Sequence, residues 1–177
     1  TRKMISQFLG RFADSRHDVY DVLSASAIAD AHRVTHGAQA IPRFRFDRAD
    51  VIVAFEADFL GTWISPVEFA AAYTRQRPRL HVQVESRMTL TGSKADRRIV
   101  VAPGELGPAM AALVAGLASK AGHGVEIPAV PPTGPTPETM DRLADSLWRA
   151  RGRALVACGS ENVSLQRLVN FANELLQ

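Results

Sequence analysis

A single cysteine, Cys158, leaves this sequence unable to form an internal disulfide and unable to supply a four-thiolate iron–sulfur cluster. It closes the apolar stretch from Ala154, where a thiol serves as a small buried apolar group. No apolar run approaches the roughly 20 residues that span a bilayer. The opening Thr1-Arg-Lys-Met-Ile-Ser-Gln-Phe-Leu9 is too short and too polar for a secretion signal. It lacks an initiating Met and starts on a helical pattern, so a fragment of a longer polypeptide is expected. Also missing are a G-x-G-x-x-G fingerprint and a Walker A sequence. No serine sits on a nucleophile elbow, which removes Ser86, Asp96 and a histidine as a triad.

What is present is ordinary for a globular α/β protein. The 177 residues are 46% hydrophobic and 22% charged, enough for one good core and one domain over 1–177. The formal charge is +3 and the pI about 9.5. Cations gather at Arg43 to Arg48, Arg75 to Arg79, Arg97-Arg98 and Arg149 to Arg153. With no nucleic-acid motif beside them, they read as a solvated rim or as a surface facing an acidic partner subunit. The histidines are scattered. His32 and His36 could share a helix face, but no carboxylate or thiol completes a metal set.

The hydrophobic periods alternate between strand and helix. Helical spacing marks Met4 to Phe12, Ser24 to Thr35 with Gly37 as a stop, Ser65 to the residues before Pro78, Pro108 to Lys120, Thr136 onward, and Asn162 to Leu176. Ser65-Pro66-Val67-Glu68 predicts a capping box. Strands are predicted at Asp18 to Tyr20, Ala49 to Phe55, Leu80 to Val84, Arg98 to Ala102 and Ala154 to Cys158. Residues 123–135 read as an irregular surface crossover, and the stretch after Arg87 as a Thr/Gly/Ser loop. The order implies a mostly parallel, Rossmann-like sheet with helices on both faces. Ligands of such sheets bind beyond the carboxyl ends of the strands, which singles out Glu85, Ser86 and Gly104. Gly159-Ser160-Glu161-Asn162 is a weaker candidate for an anion.

The order Val84-Glu85-Ser86-Arg87, Thr89-Leu90-Thr91, Ala95-Asp96 and Pro103-Gly104 resembles the molybdopterin oxidoreductase family. The upstream run from Arg48 to Gly61 is similar to the family's strand that ends at the pterin dinucleotide. The likeness covers most of the chain and is closest to the molybdopterin-like, iron–sulfur-binding subunit of the respiratory assembly called alternative complex III. That subunit is understood to keep the fold without the molybdenum cofactor.

The resemblance implies that Asp58, Gly61, Glu85, Ser86 and Gly104 stand where the family grips its cofactor. Two departures point to a vestigial site. Asp58 puts negative charge where a pyrophosphate wants backbone N–H groups. Leu106 stands where the family's guanine-reading Asp would be. Glu85 still matches the family's acidic residue, one methylene longer than the usual Asp. The expectation is a cofactor-free structural scaffold that is not catalytic alone, within an oxidoreductase-like parent. Its iron–sulfur clusters would lie elsewhere in that parent, and its partners would be other subunits of a membrane-associated respiratory complex. The resemblance implies the periplasmic side of a bacterial inner membrane, without deciding against the cytoplasm. The alternative is an active domain that binds molybdopterin guanine dinucleotide.

Overall fold

Val51–Phe55, an apolar run with every residue buried, forms the central strand β1 of the computed structural model, which describes residues 2–18, 24–124 and 135–177. Strand β2 (Leu80–Glu85) lies parallel to β1 on one side, and β3 (Arg97–Val100) lies parallel to β2 beyond it. Strand β4 (Ala154–Cys158) pairs in parallel with the other side of β1, giving the order β3-β2-β1-β4. Seven α-helices accompany these strands among the described residues: α1 (Arg2–Leu9), α2 (Ser26–His36), α3 (Pro66–Arg75), α4 (Leu90–Lys94), α5 (Leu106–Lys120), α6 (Pro137–Arg149) and α7 (Val163–Leu175). This is the Rossmann-like α/β arrangement that the periodicity predicts. None of these helices is long and apolar enough to cross a membrane.

Alternation along β1 feeds two cores. Val51, Val53 and Phe55 pack with Val82 and Val84 against Met110, Leu113 and Leu117 of α5, Met140 and Leu147 of α6, and Val169 of α7. Ile52 and Ala54 face an aromatic layer of Phe44, Phe46, Phe59, Phe69 and Tyr73. There the rings of Phe46 and Phe59 stack at 4.2 Å.

One border of the sheet is closed by side chains. Asn173 of α7 accepts from Val156 N at 2.9 Å and donates to Val156 O at 2.8 Å, while Gln166 donates to Cys158 O at 2.9 Å. The two amides thus occupy backbone groups that an added strand would need. Cys158 is buried beneath them, and burial pushes its thiol up to about 12.

Three local expectations change. The stretch after Arg87 holds the short helix α4, capped by Thr89, whose hydroxyl accepts from Gly92 N at 2.9 Å. Neither half of the predicted capping box forms: Ser65 makes no side-chain cap on α3, and Glu68 pairs with Arg43 at 3.2 Å. Helix α5 starts two residues ahead of Pro108, at Leu106. The predicted strand at Asp18 to Tyr20 and most of the 123–135 crossover fall outside the described residues.

The face of β2 toward the aromatic layer is polar. His81, Gln83 and Glu85 alternate along it, all fully buried. His81 Nδ1 meets Tyr73 Oη at 3.2 Å, while His81 Nε2 and Gln83 Oε1 have no partner among the described residues. Burial pushes the His81 imidazole down to about 4. The unfolded chain therefore binds the extra proton first, and stability falls as pH drops from about 6.5 toward 4. Between pH 7 and pH 5 the loss should be about 2 kcal/mol, from a shift of this size at 1.36 kcal/mol per unit. Urea unfolding of wild type and His81→Phe at both pH values checks this. An equal acid loss in the two proteins would rule out His81 as its source.

Candidate functional site

All four strands end on the same side of the sheet, and the chain reverses its winding between β1 and β4. Open α/β sheets hold ligands at that point, because the loops on either side diverge and leave a crevice. A cleft of about 450 Å³ opens there. Its apolar lining comes from Ile41, Trp63 and Ile64, and its charged lining from Glu56, Asp58, Glu161 and Arg87. Three carboxylates against one guanidinium make it anionic. Glu56 and Ile64 both have left-handed backbones, with φ of 52° and 54°. For such residues that conformation costs on the order of 1–2 kcal/mol, so fixed contacts must hold it.

Those contacts explain the predicted site residues. Glu56 Oε1 accepts from Ser86 N at 2.7 Å and from Ser86 Oγ at 2.6 Å, clipping the end of β1 to the end of β2. Asp58 Oδ1 accepts from Thr91 N at 3.0 Å and from Thr91 Oγ1 at 2.8 Å. Thr91 Oγ1 accepts in turn from Leu60 N at 2.9 Å. Glu85 accepts from Thr89 N at 3.2 Å, from Thr89 Oγ1 at 2.6 Å and from Arg98 Nε at 2.5 Å. Burial raises the Glu85 carboxyl pKa, but the hydrogen bonds from Thr89 and Arg98 outweigh it and hold the group below its ordinary range. Asp58 and Glu85 therefore both tie down the α4 turn.

The glycines match these ties. A Cβ on Gly61 would run into the Asp58 carboxylate, and one on Gly92 into the Glu85 carboxylate. The structure brings Asp58, Gly61, Glu85 and Ser86 to one end of the sheet. Gly104 follows β3 at the same end but outside the cleft, exposed in a 3₁₀ turn where a Cβ would meet nothing within 4 Å. Leu106 is a core residue, 7% exposed and packed with α5 beneath the sheet.

Backbone donors that a pyrophosphate would use are already engaged. Gly61, Thr62 and Trp63 N all donate to Asp58 O, and Gly159 N donates to Phe55 O. At the start of α7, Asn162 Oδ1 accepts from Ser164 N at 2.8 Å and Leu165 N at 3.3 Å. The turn at Gly159 to Asn162 is thus closed on itself, against its reading as an anion site. The molybdopterin dinucleotide does not fit this end of the sheet: its phosphates would meet carboxylates and occupied N–H groups.

A second hollow, of about 430 Å³, lies between α2 and α7, away from the strand ends. His32 and His36 stack there at 4.7 Å. Burial, with the charge of His36, lowers the His32 pKa. Among the described residues, no group of three His, Cys, Asp or Glu could hold a metal ion.

Of the charged cleft residues, sequence reading singled out Asp58 and did not single out Glu56, Arg87 or Glu161; Glu85 lies buried behind the cleft and does not line it. The available signal was an acidic residue directly after the apolar run of β1, where Phe55-Glu56-Ala57-Asp58 leaves the sheet. Neither a protein-family model nor a curated protein sequence matches the chain.

Proposed function

We propose that the chain is a cofactor-free structural scaffold: a molybdopterin-oxidoreductase-like domain within an iron–sulfur subunit of a respiratory electron-transfer complex. One observation supports its cofactor-free part, the remainder resting on the sequence resemblance. The strand-end carboxylates and backbone N–H groups that would have to serve a dinucleotide are spent on internal ties. Asp58 and Glu85 hold α4, Glu56 holds Ser86, and Asp58 O collects three backbone donors. Releasing them for a ligand costs more than a ligand's hydrogen bonds return, because each buried group left unpaired costs about 1–3 kcal/mol.

The dinucleotide-binding alternative has the cleft's place and its volume of about 450 Å³ on its side. Titration calorimetry decides between the two. The scaffold reading expects no heat of binding for GMP, GDP or molybdopterin guanine dinucleotide up to about 1 mM, the weak end of measurable affinity. Saturable submillimolar binding that Glu161→Gln or Arg87→Ala alters would overturn it. Those two residues line the cleft without holding α4, so a loss of binding would not be a loss of fold.

A further inference from the structure

Parallel strands all begin at one end of the sheet, so the residues just before them meet on one rim. In this chain those residues are arginines. Arg75, Arg77 and Arg79 precede β2, and Arg149, Arg151 and Arg153 precede β4, all of them exposed. Arg48 ahead of β1, with Lys94 and Arg97 at β3, extends the same rim. Three of its carboxylates are taken, Asp47 by Arg45 at 2.9 Å, Asp50 by Arg153 at 2.8 Å and Asp96 by Arg77 at 3.1 Å, while the exposed Glu174 near the end of α7 forms no ion pair among the described residues. Among the described residues, Arg48, Arg79, Lys94 and Arg97 form no ion pair. The opposite end carries Glu56, Asp58 and Glu161 with Arg87, while Glu85 there is buried and neutralised by Arg98. The small net charge of +3 thus conceals two ends of opposite sign.

We propose that the strand-start rim is a docking face for a carboxylate-rich surface of a partner protein. The proposal rests on the scaffold reading and adds where the partner sits and what it presents. Three features select a protein over other polyanions. The rim is built from arginine rather than lysine, and the planar guanidinium matches carboxylate forks and is enriched at protein interfaces. The exposed apolar residues Val67, Met88 and Val100 lie at or beyond the strand ends and so off the rim, whose own exposed residues are charged rather than the apolar anchors a bilayer takes. No exposed aromatic among the described residues stacks there for single-stranded nucleic acid, since Trp148 is partly buried and covered by Arg151 at 4.9 Å.

Arginine footprinting tests it. The parent protein is isolated from its own cells in mild detergent after nuclease treatment, sized, and reacted with phenylglyoxal beside the isolated chain. In the assembly Arg79, Arg97 and Arg151 should react roughly ten-fold more slowly, as side chains desolvated at an interface do. Arg79→Glu/Arg97→Glu should leave the chain's unfolding midpoint unchanged but release the parent from the assembly. Rim arginines that react equally fast in assembly and isolated chain overturn the docking face and leave the scaffold reading intact. A parent that elutes alone overturns both. Protection present in membranes but lost in detergent, or lost on nuclease treatment, overturns the protein partner in favour of lipid or nucleic acid.

Discussion

Glu85→Ala should lower the unfolding free energy by about 3–5 kcal/mol, the range for removing one member of a buried ion pair. The side chain is fully buried, and its loss removes the acceptor of four donors: Thr89 N, Thr89 Oγ1, the Arg98 guanidinium and, at 3.4 Å, Gln83 Nε2. Arg98 is about one-fifth exposed and can turn partly toward water, which sets the lower end of the range. Glu85→Gln keeps an acceptor for Thr89 but turns an amide N–H₂ toward one of the other donors, so it should fall between the two. Because the folded-state carboxyl sits below its ordinary range, this stabilisation is present above the usual Glu range and lost as pH falls through it. Urea unfolding at pH 7 measures the effect. A loss under about 1 kcal/mol would mean that Glu85 is not the tie holding α4 and is free for another role.

Leu106→Asp should destabilise the fold by about 3 kcal/mol rather than recreate a nucleotide contact. Truncating a buried leucine alone costs about 2–5 kcal/mol. A carboxylate at that position must also be desolvated or protonated. An acidic group in the first turn of a helix recovers about 0.3–1 kcal/mol from the helix dipole, too little to offset the rest. Leu106→Met, with similar volume, should cost less than about 1.5 kcal/mol. The two variants separate packing from charge when compared by denaturant midpoint and GMP calorimetry. A stable Leu106→Asp protein that binds GMP would show that the position faces ligand rather than core.

The sheet and most of the helices were legible because their signals are local and repeated. Val51 to Phe55 has no polar interruption, and Leu165, Leu168 and Val169 keep the period of α7. Helix α4 was not legible. Its sequence, Leu-Thr-Gly-Ser-Lys, has poor helix propensity, and it is held by Asp58 from 33 residues away and by Glu85 through the cap Thr89. Distance hid the role of Asp58; Glu85 is only four residues from Thr89, but its strand-end position marked it for ligand contact. Only the fold shows that each points at a threonine of the α4 turn. The arginine clusters were plain in the sequence. Their convergence on one rim follows only once the strands are known to be parallel and to start together.

The amides of Asn173 and Gln166 have a consequence for growth. A sheet whose β4 border is already satisfied by its own side chains cannot be lengthened there without first breaking those bonds. Among the described residues β3 has no strand on its outer side, so any strand added from elsewhere enters beside Arg97 and Ile99. The sheet can thus accept an added strand on one flank and not on the other, an asymmetry set by two side chains of α7.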